Sequence, residues 1–226
     1  MAKTPLIVFD VNETLLDLET MIPLFARIFD DPSAMRVWFA NLILYSEALT
    51  LANSYSPFTE IGAAVMEMLA DSRGITITDA DKADLKLAFS SMPPHPEVPA
   101  ALARLQSVGF RLFTLTDNLL EVQEHQLTVG GIIGHFERRF SVDQSVKRHK
   151  PALEAYRYVE ERLGAAPGDM LLIASHLWDT MGAQAAGWRA AFITRAGNAP
   201  LAVGPQPNFI GTTLAEIADQ LISTYP

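Results

Sequence analysis

The sequence predicts an α/β protein: a Rossmann-like, doubly wound parallel sheet with a helical cap inserted after its first strand. Three observations carry that expectation. The apolar run Leu6-Ile7-Val8-Phe9 is too short for a helix, long enough for one buried strand, and ends in a carboxylate, Asp10. A long stretch of helical periodicity then follows without an intervening strand. After Met92-Pro93-Pro94-His95-Pro96, short apolar runs alternate with helical patterns. Such alternation implies right-handed crossovers and a parallel sheet covered on both faces.

The elements follow in order. Met21, Leu24, Phe25, Ile28 and Phe29 keep a 3.6-residue spacing, closed by Asp30-Asp31-Pro32-Ser33. From Met35 to Tyr45 the chain is apolar nearly all round, which predicts a helix buried on most faces. Helical patterns also run from about Pro57 to Leu69 and from Thr78 to Phe89. In the second, Asp79 and Asp81 sit where a helix dipole favours negative charge. Three prolines within four residues cannot continue a helix, so the chain returns to its first module near residue 93. The expected division is 1–16 plus 93–226 as the core and 17–92 as the cap. Beyond it, helices are expected over Val98–Gly109, Leu120–Val129, Pro151–Leu163, Met181–Ala186 and Leu214–Ser223. Strands are expected over Phe110–Leu115, Arg138–Val142, Met170–Ala174 and Ala190–Ile193. No repeat of constant period occurs.

Composition narrows the function. The 226 residues are 49% hydrophobic, enough for a sizeable core, and the formal net charge of −9 argues against a nucleic-acid surface. A small anionic substrate stays compatible, because a few local cations outweigh a negative average. With no cysteine, thiolate nucleophiles and Cys-ligated zinc are excluded. No stretch reaches the ~18 apolar residues of a membrane span, and the N-terminus makes a poor signal peptide. A soluble, cytoplasmic protein is expected.

Open parallel sheets bind ligands beyond the carboxyl ends of their strands. Asp10, Thr116-Asp117-Asn118, and Ser175-His176 with Asp179 all follow predicted strands, and Lys150 precedes a helix between two of them. Singly, each has an ordinary reading: a strand-end residue, a cap, a solvated lysine. Four in this order point to one site.

This order resembles the haloacid dehalogenase superfamily, over nearly the whole chain. Within it, the chain is most similar to the L-2-haloacid dehalogenase (type II) branch. The branch reads Asp-x-Tyr-Gly-Thr-Leu-x-Asp where this chain has Asp10-Val11-Asn12-Glu13-Thr14-Leu15-Leu16-Asp17. Its Tyr-Lys-Pro with a later tyrosine matches Lys150-Pro151 and Tyr156, with His149 in place of the first tyrosine. Its Ser-Asn-x-Trp-Asp is close to Ser175-His176-Leu177-Trp178-Asp179.

The resemblance implies a two-step displacement. Asp10 attacks the halogen-bearing carbon of a 2-haloalkanoic acid, and water hydrolyses the resulting ester to the 2-hydroxy acid. Lys150 holds Asp10 ionised, Asp179 positions Lys150 or activates water, and Thr116 and Ser175 supply hydrogen bonds near the carboxylates. Backbone near Asn12 and Glu13 receives the substrate carboxylate. Tyr156, Trp178 and cap aromatics exclude water. Asn118 completes the substrate-binding set, and a homodimer is implied; the helix of Trp38, Leu42 and Ile43 is either an interface or, for most of its residues, simply cap core.

The departures cluster where the halide leaves. Phe39 stands where the branch carries an arginine after a tryptophan, Asp117 replaces an asparagine, and His176 replaces another. A second carboxylate repels a leaving anion unless protonated or paired. A protonated His176 would partly replace the missing cation, and a His176–Asp117 pair is one arrangement; Asn41 is a weaker polar substitute. Superfamily phosphatases carry a second Asp two residues after the nucleophile, where this chain has Asn12. No metal is expected, and magnesium belongs only to the alternative of a small phosphate ester substrate. A small-acid binder with little turnover is the third reading.

Overall fold

The computed structural model describes residues 3–225. Its parallel sheet places β1 (Leu6–Phe9) between β2 (Leu112–Thr116) and β4 (Met170–Ala174). With β3 (Arg138–Ser141), β5 (Arg189–Ile193) and β6 (Phe209–Gly211) the order is β3-β2-β1-β4-β5-β6. The winding direction reverses between β1 and β4, and a crevice opens at such a reversal. Asp10 therefore ends the strand at the switch point, and its N–H donates to the Ile173 carbonyl at 3.0 Å.

Both faces of the sheet are covered, so its central strands β1 and β4 read as unbroken apolar runs. Ile7 and Phe9 point to one face, toward α5 (Val98–Ser107), α9 (Leu214–Thr224) and the helical insertion. Val8, Phe113 and Leu172 point to the other, toward α7 (Leu153–Leu163). Buried polar groups between packed layers need partners, and α6 (Leu120–Val129) shows the consequence. Its buried Gln123 bonds Thr114 at 2.9 Å and the Phe140 carbonyl at 3.1 Å.

Between β1 and α5 lie α1 (Ile22–Phe29), α2 (Ala34–Leu51), α3 (Phe58–Ser72) and α4 (Asp79–Ser90). Thr78 caps α4 in a reciprocal capping box with Asp81. The chain leaves and returns side by side: Asp17 N donates to Pro93 O at 2.8 Å and His95 N to Leu15 O at 3.0 Å. Apolar packing runs unbroken from the insertion to the sheet, with the Phe25 ring tilted against Trp38 at a centroid distance of 5.1 Å. The Trp38 indole N–H donates to the Gly62 carbonyl at 2.8 Å.

The structure departs from expectation at several points. Helix α2 is not buried on most faces: Val37, Leu44, Tyr45 and Leu51 are exposed, because its inner face alone meets α1 and α3. Its Trp38 and Leu42 are buried in the insertion and Ile43 lines an internal cavity, so this trio offers no docking face. The helix expected from Met181 is α8 (Leu177–Ala185), which puts Asp179 in a first turn rather than a loop. Strand β6 was not foreseen: it is three residues long, at the sheet edge, and Ile210 is exposed, so no apolar run announces it.

Candidate active site

The site is built on a saturated ammonium. Lys150 is buried, and its Nζ donates to Asp10 Oδ1 at 2.9 Å, Asp179 Oδ2 at 2.6 Å and Leu115 O at 3.3 Å. An ammonium carries three protons, and all three are used. The other Asp179 oxygen accepts from Tyr156 Oη at 2.6 Å. Gly182, one turn on in α8, makes this approach feasible, since a Cβ there would collide with the Tyr156 hydroxyl. The second Asp10 oxygen, Oδ2, accepts from Thr14 Oγ1 at 2.7 Å.

Charge balance sets the protonation. Burial alone would raise Asp10, but the Lys150 charge and His176 outweigh it and hold the carboxyl below the usual range. Burial would likewise lower Lys150, and the Asp10 and Asp179 charges reverse this. Asp179 is raised, first by burial and then by Asp10, against the opposing pull of Lys150. Asp10 is thus the more firmly ionised of the two carboxylates.

Two carboxylate–imidazole pairs flank this centre. His176 Nε2 meets Glu13 Oε2 at 2.7 Å, and Glu13 is in turn bonded by Arg36 from α2. The other nitrogen, Nδ1, makes no hydrogen bond; Asp10 Oδ2 lies 3.4 Å from it. The imidazole is sandwiched between Trp178 (5.2 Å, nearly parallel) and Phe39 (5.5 Å). Burial would lower its pKa, yet Asp10 and Glu13 push it up to about 9, so it is cationic near neutrality. Glu13 is held below its usual range: burial opposes this, and His176 and Arg36 prevail. The second pair is His149 and Asp117. His149 Nδ1 lies 3.3 Å from Asp117 Oδ1, and its Nε2 lies 3.0 Å from the Ser56 carbonyl. Asp117 Oδ1 also accepts from Lys150 N at 2.9 Å. Burial again opposes protonation of His149, and the Asp117 bond outweighs it.

Glu13 occupies a left-handed backbone conformation, φ 62°. For a residue with a Cβ that costs on the order of 1 kcal/mol or more. The strain is over-determined: the Glu13 carbonyl accepts from His95 at 3.0 Å and from Ser175 Oγ at 3.4 Å, while its carboxylate is held by Arg36 and His176.

Asp10, Thr116, Asp117, His176, Trp178 and three insertion side chains, Phe39, Ile43 and Phe58, enclose a cavity of about 10 Å³, together with Asn12. That is room for about one water. Beyond Phe58, helices α2, α3, α4 and α6 line a larger apolar cleft of about 570 Å³.

Of the residues singled out from sequence, the structure brings Asp10, Lys150, Asp179 and Tyr156 into one hydrogen-bonded chain, with His176 and Glu13 beside it. Other expected contacts differ. The hydroxyl on Asp10 is Thr14. Thr116 Oγ1 instead accepts from Asn118 N at 3.2 Å, and Ser175 Oγ turns to Glu13 O. Tyr156 is fully buried on Asp179 and does not line the cavity. Asn118 and Asn12 bond to each other at 3.4 Å rather than outward. His176 pairs with Glu13 and not Asp117, whose partner is His149. Asn41 is turned onto the Val37 carbonyl of its own helix at 2.8 Å. Arg36, Gln126 and Gly182 went unread. Arg36 sits three residues before Phe39, on the same helix face, and that spacing was the available signal.

Magnesium would need oxygen donors from Asp10, residue 12 and Asp179. Asn12 Oδ1 accepts from Asn118 and Gln126, and both Asp179 oxygens are taken by Lys150 and Tyr156. Among the described residues no group of three His, Asp or Glu side chains is placed to hold a metal ion. This donor set does not fit one.

The sheet order, the carboxylate at the switch point and the buried lysine beside it mark a hydrolase fold class recognised by comparison. A family model described as haloacid dehalogenase-like hydrolase matches residues 4–187, and the chain belongs to that family of enzymes. Its relatives include L-2-haloacid dehalogenases. Haloacetate dehalogenase H-2 from Moraxella sp. (strain B) is 28% identical over 213 residues, covering 92% of this chain and 94% of that protein. An (S)-2-haloacid dehalogenase from Pseudomonas sp. (strain YL) is 25% identical, covering 94% and 92%. The L-2-haloacid dehalogenase of Xanthobacter autotrophicus, solved with chloropropionic acid covalently bound, matches with a TM-score of 0.88 at 21% identity over the full length of both chains.

Proposed function

We propose that this enzyme hydrolyses 2-haloalkanoic acids through an ester on Asp10, with residues 17–92 acting as a cap and no metal taking part. One observation carries the reading: a carboxylate kept ionised by Lys150, at the carboxyl end of the central strand, facing a cavity walled by apolar rings. Asp10 attacks the α-carbon, and the carbon–halogen bond breaks with its electron pair leaving on the halide. The named relatives act on haloacetate and (S)-2-haloacids, which supports the substrate class.

The atypical halide region fits this reading better than the sequence suggested. Asp117 carries a formal negative charge, but His149 beside it is held protonated, so the pair adds little net repulsion. Phe39, Trp178 and Phe58 offer polarisable walls. A homodimer rests on analogy alone, and its test is the mass in solution.

The experiment is halide release from chloro-, bromo- and fluoroacetate and 2-chloropropionate, with Asp10→Asn as control and no added metal. Release should fall by about 10⁴-fold or more in the variant. No halide from any of these acids, with magnesium-dependent hydrolysis of a phosphate ester instead, would reverse the assignment.

A further inference from the structure

The Glu13 and His176 side chains touch each other, and both stand where the branch pattern carries something smaller and uncharged: glycine and asparagine. Two departures in contact, one of them at a strained backbone position, build a single device. His176 lines the cavity with Asp10, its Nε2 is fixed by a buried carboxylate, and its Nδ1 is buried, free of hydrogen bonds and 3.4 Å from Asp10 Oδ2. The charged groups facing it are Asp10, Glu13, Arg36 behind Glu13, and Lys150 behind Asp10. Phe39 and Trp178 close its two faces.

Asp179 is poorly placed for the proton traffic of ester hydrolysis, since both its oxygens are engaged by Lys150 and Tyr156. Lys150 has no proton to spare. Among the described residues, His176 is the one acid–base group that has an unpartnered nitrogen beside Asp10. We propose that Glu13 and His176 form an acid–base dyad that drives hydrolysis of the Asp10 ester. His176 is the proton-transferring residue and Glu13, anchored by Arg36, its positioning residue. The inference rests on the function proposed above.

The step balances as follows. Asp10 Oδ2, the oxygen nearer His176, carries the substrate in the ester. Water adds to Cγ, the Cγ–Oδ2 bond breaks, and its electron pair stays on Oδ2, which leaves in the product. Nδ1 gives its proton to that oxygen, making the hydroxyl of the 2-hydroxy acid. The neutral imidazole then takes one proton from the water-derived oxygen on Cγ, and the second passes to solvent. Asp10 is a carboxylate again and His176 an imidazolium.

The test uses His176→Asn, which restores the branch residue, and Glu13→Gly, which suits a positive φ and relieves strain. With bromoacetate, His176→Asn should give a burst of about one halide per chain followed by turnover slowed about 10²-fold or more. The Asp10 ester should accumulate as a covalent adduct seen by mass spectrometry. In wild type, turnover should fall above about pH 9; in Glu13→Gly that alkaline limb should move at least about one unit toward neutrality, with kcat affected more than KM. The inference is overturned if His176→Asn slows the burst itself and no ester accumulates, or if the alkaline limb of Glu13→Gly does not move. NMR titration of the His176 ring in wild type and in Glu13→Gly reads the dyad without turnover. A midpoint that Glu13→Gly leaves in place overturns the dyad, whereas wild type releasing no halide overturns the function instead.

Discussion

The two carboxylate–imidazole pairs differ in what their second nitrogen meets. In Glu13–His176 the far nitrogen faces Asp10 and a cavity, with no hydrogen bond made. In Asp117–His149 the far nitrogen is closed off by the Ser56 carbonyl, in the segment between α2 and α3. The backbone N–H of His149 is taken by Thr50 Oγ1 at 2.9 Å, and Tyr55 stacks on the ring at 5.1 Å. The same chemical pair thus has a vacancy in one place and none in the other. A histidine with every proton assigned is a fastener between the insertion and the sheet; one with an unassigned nitrogen is available for reaction. Placement of the pair, rather than its identity, decides between them.

That contrast can be broken most sharply at His149. His149→Phe should cost about 3 kcal/mol of stability, because it leaves Asp117 and the Ser56 carbonyl without their buried partner. Urea unfolding at pH 7 checks this. A loss below about 1 kcal/mol would mean that this pair fastens nothing.

The pH dependence of folding sharpens it further. His176 is raised above the unfolded value of about 6.5 to about 9. A raised folded-state pKa contributes stability that is fully present below about pH 6.5 and is lost as pH climbs through about 9. The contribution is on the order of 3 kcal/mol at most, read as a falling urea midpoint across that window. Its slope should flatten in His176→Asn. His149 is shifted in the same direction, so its loss adds to the same decline.

The smallest effect concerns the edge of the fastener. Tyr55 donates to Asp143 Oδ1 at 2.6 Å. Tyr55→Phe keeps the stacking on His149 and removes one bond, so about 1 kcal/mol should be lost with kcat unchanged. A change in kcat of more than about twofold would mean that the fastener also tunes the reaction.

The fold was legible because its central strands β1, β2 and β4 are largely apolar runs ended by polar turns, and several core helices end at or just before a glycine. β6 escaped because an edge strand of three residues buries too little to leave a pattern. The Asp10–Lys150–Asp179 grouping was legible because strand ends converge in this topology. What sequence spacing did not reveal was orientation. Thr14, Thr116 and Ser175 are all hydroxyls near Asp10, and only coordinates say that Thr14 turns toward it. The His176–Asp117 pairing failed for the same reason, and the His149–Asp117 pair went unread: observed pairs 163 and 32 residues apart leave no periodic trace.

The threefold bonding of Lys150 has one more consequence. Its Nζ is held by three acceptors belonging to the protein, two of them from different strand ends. The ammonium therefore offers the substrate a field but no bond. Like an ion fixed in a lattice, it need not reorient as charge leaves Asp10 and returns, and so its stabilisation costs no reorganisation at the moment of reaction.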